Sequence, residues 1–365
     1  MALPYLNDFN VAIQWEIMPT IADGFFNSGP IMRYMKADRM KTFEGGLGIQ
    51  ENVLFAPMKG GFYQRGGSFN LTRSQIIAGT RFGVKTAYVN VSELIEDIEI
   101  ELRGKRAAFD KVKTDLAAAS MTLSAILEIA AMQYGQDMSG SGGNNQLTAF
   151  NGFPEALNDG IENSWDGQKF TSYGGQPRVD VNKALLPAGR IVRNGAVVNT
   201  SLYNDNINGP IVPRVLEHTY QDCVWGDQHP VLGITTKRGM ALVRENVLPL
   251  LRLTDTKDPT ISWPGLKFNQ ATLIESEYMF GKQGENDPNI GNYYSSSGEG
   301  FLWFNPGPAE DPFVRLWVSA SNLFQFGFTG FKGAREDNMV SGQILFAGNL
   351  VLRLVRTMRL LYGIA

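Results

Sequence analysis

A run of 30 residues without proline or glycine decides how this chain folds: residues 105–134 read KRAAFDKVKTDLAAASMTLSAILEIAAMQY. Its apolar side chains recur every three or four positions and therefore share one face of a helix; they are Phe109, Val112, Leu116, Ala119, Leu123, Ile126 and Ala130. The charged residues are expected on the opposite, solvated face; they are Lys111, Lys113, Asp115 and Glu128. A coiled coil is the rival interpretation, but alanines along the seam and only about four heptads disfavour it. We predict one long spine helix packed on a sheet.

A glycine-tipped β-hairpin is predicted before this helix. Residues 50–57 and 81–91 have strand composition, and the Gly60-Gly61 and Gly66-Gly67 pairs between them are typical of turns. A two-stranded ribbon has no core of its own and is marginal in water, so we expect the hairpin to lie on a neighbouring subunit. Ser92 is expected to cap a short acidic helical turn at residues 93–97.

The rest of the chain mixes helices and strands. Residues 135–145 form a Gly/Ser-rich break, and residues 146–210 are expected to be dominated by loops. Helical patterns follow at 213–223 and 237–247, the second capped by a threonine that ends a buried strand at 231–236. Short strands are predicted at 266–268, 271–274 and 300–304, and a long β segment at 342–361, where a helix over 350–361 is the alternative. No regular βαβ alternation appears, which predicts an α+β fold.

Composition and charge exclude several classes of protein. The 365 residues carry 33 Lys+Arg against 36 Asp+Glu, a net charge of -3, which argues against a dedicated nucleic-acid binder. No uncharged stretch reaches the roughly 18 residues that a spanning helix needs, and the first residues resemble no secretory signal, so we expect neither a membrane span nor export. Charged residues make up 19% of the chain and 40 residues are glycine. This combination predicts a surface covered by other subunits, although a glycine-rich enzyme with long loops has a similar composition.

Candidate catalytic and metal-binding groups are weak. Asp222, Cys223 and His229 lie close in sequence, with His218 one helical turn before Asp222, and they could form a Cys/His nucleophile pair of a hydrolase. We expect them to be structural, because a helix over 213–223 would point Cys223 away from the shared His218/Asp222 face. Acidic clusters are assigned to solvated faces rather than to a metal site; they are Glu93, Glu96, Asp97, Glu99 and Glu101, and Glu275 with Glu277. We predict no enzyme activity, no cofactor and no metal.

The order of these segments resembles that of the major capsid proteins of tailed bacteriophages, which have the Hong Kong 97 type fold. Local passages are also similar to that family: the acidic turn after Ser92, Gly226-Asp227-Gln228-His229-Pro230 before the 231–236 strand, Leu253-Thr254-Asp255, and Leu266-Lys267-Phe268 before residues 271–275. Gln270 stands where the family usually has glycine. The resemblance covers nearly the whole chain and is architectural.

The resemblance implies five parts: an N-terminal arm (1–44), an E-loop hairpin (45–91), a peripheral domain with the spine helix (92–139), an axial domain (140–335) and a C-terminal return to the peripheral domain (336–365). It also implies that hexamers and pentamers assemble in the host cytoplasm into an icosahedral virion shell around double-stranded DNA. Portal, scaffolding and decoration proteins would be partners, and binding of the DNA would not be sequence-specific. An encapsulin-like compartment is the alternative, and the hydrolase is a second one.

The inter-subunit contacts implied by the resemblance lie at the hairpin tip. They are Lys59, Phe62, Tyr63, Arg65 and Phe69. Some relatives form an isopeptide bond through a lysine in this position, but we expect Lys59 to be a solvated lysine.

Overall fold

The computed structural model describes residues 29–36, 39–46, 48–54, 61–68, 77–94, 105–132, 149–157, 172–177, 189–193, 196–200, 204–224, 226–247, 255–257, 264–276, 278–279, 298–308, 310–333, 339–354 and 357–364. Within these ranges the helices are α1 (Pro30–Lys36), α2 (Lys105–Met132), α3 (Phe153–Leu157), α4 (Pro213–Asp222) and α5 (Lys237–Val247).

The strands divide among two large sheets and three small hairpins. The strands before α4 are β1 (Met40–Phe43), β2 (Gly48–Leu54), β3 (Ile77–Gly83), β4 (Lys85–Leu94), β5 (Ser172–Tyr173), β6 (Gln176–Pro177), β7 (Gly189–Arg193), β8 (Ala196–Thr200) and β9 (Asn204–Gly209). Those after α4 are β10 (Leu232–Thr235), β11 (Asp255–Lys257), β12 (Pro264–Phe268), β13 (Ala271–Glu275), β14 (Glu299–Phe304), β15 (Val314–Ser319), β16 (Gln325–Phe328), β17 (Lys332–Gly333), β18 (Met339–Leu352) and β19 (Arg359–Ile364).

A six-stranded sheet is organised around β18, which is 14 residues long. Strand β4 pairs antiparallel with it over ten residues, from Lys85↔Gly348 to Leu94↔Met339. Strands β15, β16 and β17 also pair with β18, and β1 adds to β15 in parallel. Helix α2 packs against β4 and β18, which confirms the prediction of a long helix on a sheet.

A seven-stranded sheet has the order β11-β12-β13-β10-β14-β19-β9, and its central strands β10, β13, β14 and β19 are buried except at Glu275. Along β14, Leu302 and Phe304 belong to one hydrophobic core and Phe301 and Trp303 to another, as the two-residue period of a strand requires. The first core also takes residues from α1, α2, α3 and the six-stranded sheet, and the second takes residues from α4 and α5.

The buried stripe of α4 and the cap of α5 that the sequence predicts are both confirmed. The buried residues of α4 are the expected Val215, Leu216, Thr219 and Tyr220. Thr236 directly follows the buried strand β10 and accepts a hydrogen bond through Oγ1 from the N–H of Gly239 at 2.9 Å, which satisfies a free donor in the first turn of α5.

The region around Val84 differs from the prediction. The expected strand over 81–91 is two strands that part at Val84: β3 completes the hairpin, whereas β4 belongs to the six-stranded sheet. Ser92 and Glu93 therefore lie inside β4 and begin no helical turn. Glu93 faces inward and its carboxylate binds Lys111 Nζ of α2 at 2.6 Å; burial raises the pKa of Glu93.

Glu128 corrects the predicted polar face of α2. Its side chain is fully buried, and its Oε1 and Oε2 accept hydrogen bonds from the N–H groups of Ile31 (3.0 Å) and Met32 (3.1 Å). These N–H groups lie in the first turn of α1, where a helix has no internal acceptors for its donors. The error came from assigning one apolar face, because every described residue from Leu123 to Met132 is buried except the half-buried Ile126.

The apolar composition of α2 is accounted for by its burial. The segment Lys111–Met132 is long and apolar enough by composition to cross a membrane, with a mean hydropathy of 1.4, and 67% of its most apolar window is buried inside the fold. This is how the core helix of a globular protein behaves.

The C-terminal segment is extended rather than helical. Residues 339–352 form β18 in the six-stranded sheet and residues 359–364 form β19 in the seven-stranded sheet. The five-part division of the chain stays a prediction, and it has to accommodate a C-terminal segment shared by the two sheets.

Candidate inter-subunit surface

The hairpin formed by β2 and β3 is a separate two-stranded sheet, paired in register from Gly48↔Gly83 to Leu54↔Ile77. Side chains at its base alternate between two environments. Ile49, Glu51, Thr80 and Phe82 are buried, whereas Gln50, Asn52 and Arg81 are exposed. The hairpin therefore has an inward face of its own, and that face carries a carboxylate.

Glu51 is the centre of a charge cluster that ties the hairpin to the six-stranded sheet. Arg315 Nη1 donates to both of its carboxylate oxygens, at 2.8 and 3.1 Å, and Trp317 Nε1 donates to Oε1 at 3.1 Å. Arg315 and Trp317 are two residues apart on β15 and thus share one face of the sheet. Arg353, just after β18, lies with Nε 3.5 Å from Glu51 Oε2.

Asp311 completes this Glu51 cluster, which we define as Glu51, Asp311, Arg315, Trp317 and Arg353. Its Oδ1 lies 2.7 Å from Arg315 Nη2 and also pairs with Arg353. Two carboxylates thus balance two guanidinium groups. The side chains of Glu51 and Arg315 are only 7% and 9% exposed, whereas that of Asp311 is 64% exposed.

A second group of contacts supports the other strand of the hairpin. The ring of Phe82 packs edge-on against Tyr173 at 5.0 Å, and the N–H of Arg81 donates to the carbonyl of Gly174 at 2.9 Å. Gly174 has a φ of +56°, and a Cβ there would lie 2.7 Å from Thr80 Cβ. Only glycine fits this turn, which brings β5 and β6 against the hairpin base.

The tip of the hairpin stands in solvent. Residues 61–68 are all exposed, with Phe62 at 111% and Tyr63 at 63% relative exposure. The N–H of Gly67 donates to the carbonyl of Gln64 at 2.7 Å, closing a turn in which Gly66 has a φ of +86°. The structure thus places Phe62, Tyr63 and Arg65 together at the exposed tip, while Lys59 and Phe69 lie outside the described residues.

Three further large apolar side chains are exposed in the described part of the chain: Tyr88 (68%), Met121 (64%) and Leu323 (41%). They lie on β4, on α2 and in the turn before β16, respectively, whereas Phe62 and Tyr63 are adjacent in sequence. The tip is therefore the most concentrated exposed aromatic group among the described residues.

The residues of the hydrolase alternative have structural partners. Asp222 forms an ion pair with the buried Arg359, with Oδ2 2.5 Å from Nη1. The ring of His229 stacks on Tyr220 with centroids 6.2 Å apart. Cys223 is buried at the end of α4, where its N–H donates to the carbonyl of Tyr220 at 3.0 Å. His218 is half-buried on α4.

The acidic clusters give no metal site in the described part of the chain. No group of three or more His, Cys, Asp or Glu side chains there could hold an ion. Glu93 binds Lys111, Glu275 is exposed on β13, and Glu96, Asp97, Glu99, Glu101 and Glu277 lie outside the described residues.

Sequence reasoning missed the Glu51 cluster, which joins residues 264 positions apart. The available signal was the alternation at the start of β2, where Glu51 follows the apolar Ile49 on the same face. A carboxylate in a buried register predicts a cationic partner, but nothing in the sequence identifies that partner as Arg315.

No protein-family model matches the chain, and no curated protein matches it in sequence. Among solved structures it is similar to the capsid asymmetric unit of cyanophage A-1(L), with a TM-score of 0.55, 12% identity and coverage of 92% of this chain and 93% of that one. It is also similar to the holo-SrpI encapsulin complex from Synechococcus elongatus PCC 7942, with a TM-score of 0.51, 10% identity and coverage of 92% and 86%.

These similarities establish the fold. The chain has the α+β fold of the Hong Kong 97 type, across most of its length, as predicted.

Proposed function

We propose that this chain is the major capsid protein of a tailed bacteriophage, which assembles as hexamers and pentamers into an icosahedral shell around double-stranded DNA. The observation that carries the proposal is the hairpin: a base held by buried charges presents an exposed aromatic tip that packs on no core of its own. An aromatic side chain gains roughly 1.5 to 3 kcal/mol when it is fully buried. A second copy of the chain is the partner that would bury Phe62 and Tyr63.

The function proposed is structural rather than catalytic. Asp222 and His229, the two polar groups of the hydrolase alternative, contact Arg359 and Tyr220. Many weak contacts repeated over a closed shell reinforce one another, because each subunit already held by one neighbour meets the next at a high effective concentration. Portal, scaffolding and decoration proteins would act on this shell, and the DNA would be enclosed without sequence-specific contacts.

An encapsulin-like compartment is the second candidate, favoured by the structural similarity to the SrpI encapsulin. The two candidates differ in what the shell contains. Shells isolated from infected cells would hold DNA in the first case, and shells isolated from a bacterium would hold a protein cargo in the second.

Assembly is tested with the purified full chain by negative-stain microscopy and sedimentation velocity. The wild-type chain is expected to form closed particles or their capsomers, since the tip must be buried. A stable 40.3 kDa monomer at all concentrations and under crowding would contradict the proposal.

Substitutions then locate the contact. Replacing Phe62 and Tyr63 by serine is expected to reduce particle yield strongly. Tyr88→Ser is the matched control, because Tyr88 is about as exposed as Tyr63 but lies on β4. Equal losses in both variants would show that exposed aromatic area in general, and not the tip, drives assembly.

A further inference from the structure

The paired strands of the hairpin form no ladder with either large sheet in the described part of the chain. Outside the hairpin, the main-chain bond at its base runs from the N–H of Arg81 to the carbonyl of Gly174 in the β5–β6 turn, and it does not reach either large sheet. The contacts that join the hairpin base to the six-stranded sheet are made by side chains: the Glu51 cluster holds one strand, and Asn349 holds the end of the other. Asn349 Nδ2 donates to the carbonyl of Gly83 at 2.8 Å, at the end of the hairpin.

Glu51 is bound from two directions. Arg315 and Trp317 donate hydrogen bonds to it from β15, and Arg353, just after β18, forms an ion pair with it at 3.5 Å. The antiparallel pair Val314↔Leu352 and the bond from the N–H of Arg353 to the carbonyl of Phe313 (2.8 Å) hold these two segments together. A carboxylate held by groups on two joined segments has little freedom to rotate. Strand β2, which carries Glu51, is therefore restricted in its movement as well.

We propose that Glu51 is the positioning residue of the inter-subunit surface: its carboxylate, held by Arg315, Trp317 and Arg353, fixes the direction of the hairpin so that the tip reaches a second copy of the chain. This inference rests on the proposed function, because it assumes that the tip is an assembly contact. It predicts that assembly depends on a buried residue that touches no other subunit through its own side chain.

The chemistry of the cluster makes Glu51 distinct from Asp311. Both carboxylates bind the same two arginines, but Glu51 lies on the hairpin and is buried, whereas Asp311 lies next to β15 and is exposed. Loss of the Glu51 charge detaches the hairpin, while loss of the Asp311 charge leaves it attached. The two residues therefore form a matched pair for mutation.

The experiment compares Glu51→Gln with Asp311→Asn in the full chain, using hydrogen exchange of the unassembled subunit and particle yield. In Glu51→Gln, amides of residues 48–54 and 77–83 are expected to exchange on the order of tenfold faster, because charge-assisted hydrogen bonds at the base are lost. Exchange of residues 299–304 in β14 stays as in the wild type, and particle yield falls. Asp311→Asn is expected to have a clearly smaller effect in both measurements, because Arg315 and Trp317 still hold Glu51 in that variant.

A second variant covers the case in which an unpaired Arg315 unfolds the subunit. The double variant Glu51→Gln with Arg315→Gln removes both buried charges together, and faster exchange is again expected in the hairpin alone. The inference would be overturned if the hairpin amides of the folded variants exchanged at the wild-type rate, or if they exchanged faster while particle yield stayed normal. Equal effects of Glu51→Gln and Asp311→Asn would also overturn it. If the wild-type chain forms no particles, the proposed function fails. Hydrogen exchange of the hairpin amides still decides whether Glu51 holds the hairpin.

Discussion

At the scale of single residues, Glu128 shows how one buried carboxylate joins two segments distant in sequence. It lies on α2 and accepts hydrogen bonds from two N–H groups of α1, almost 100 residues earlier in the chain. Gly29 lies against it, since a Cβ there would come within 2.5 Å of Glu128 Cδ. Glu128 has no cationic partner among the described contacts, so the two backbone donors are what oppose the cost of burying its charge.

This arrangement makes stability depend on pH in a defined direction. Burial raises the pKa of Glu128 from 4.5 to about 7, and the bonds from Ile31 and Met32 partly oppose that rise. The folded state thus binds a proton more tightly than the unfolded state. The stabilisation from this proton is complete below pH 4.5 and is lost as pH rises through about 7, a change of about 3 kcal/mol.

The variant Glu128→Gln tests this dependence, because glutamine keeps a side-chain acceptor and removes the titration. The unfolding free energy of each protein is measured by denaturant titration of the unassembled subunit. As pH rises from 5 to 8, the wild type is expected to lose stability relative to the variant. Parallel pH profiles for the two proteins would show that Glu128 does not titrate in this range.

At the scale of elements, the hairpin divides into a base that packs on the subunit and an exposed tip. The two hydrophobic cores take Ile49 and Phe82 from it among the residues whose side chains the structure describes, and both lie at its base. The exposed tip contributes nothing to either core. Folding and assembly should therefore be separable by changing the tip.

Replacing residues 58–68 by an Asn-Gly turn is expected to leave a folded subunit that does not assemble. Asn-Gly suits a two-residue hairpin turn because both residues tolerate a positive φ. Circular dichroism and the melting temperature of the subunit should stay close to the wild-type values, while particles disappear in negative-stain images. Normal particles would refute the role assigned to the tip, and loss of circular dichroism would place the tip in the subunit core.

The elements that the sequence predicted well are those with strong local signals. Helix α2 was predicted from its proline-free and glycine-free run, and α5 from the capping Thr236. The break at Val84 was missed because residues 81–91 have uniform strand composition, and only the pairing with β18 divides them. The partners of Glu51 and Glu128 were missed for the same reason, since tertiary contacts between distant residues leave no local pattern.

At the scale of the whole molecule, the seven-stranded sheet connects the two hydrophobic cores. Strand β14 sends Phe301 and Trp303 to one core and Leu302 and Phe304 to the other. Trp303 also donates from Nε1 to Thr219 Oγ1 of α4 at 2.9 Å. Because the same backbone carries both sets of side chains, neither core can be lost while the sheet keeps its register.

This connection predicts that the unassembled subunit unfolds in one cooperative step although its length exceeds that of a typical single domain. Phe301→Ala and Phe304→Ala remove a fully buried ring from opposite faces of β14. Each is expected to lower the unfolding free energy by about 3–5 kcal/mol. The denaturation midpoints measured by far-UV circular dichroism and by tryptophan fluorescence should move together in both variants. A second transition that appears in only one variant would show that the two cores unfold independently. The shared backbone of β14 would then not be enough to couple their unfolding.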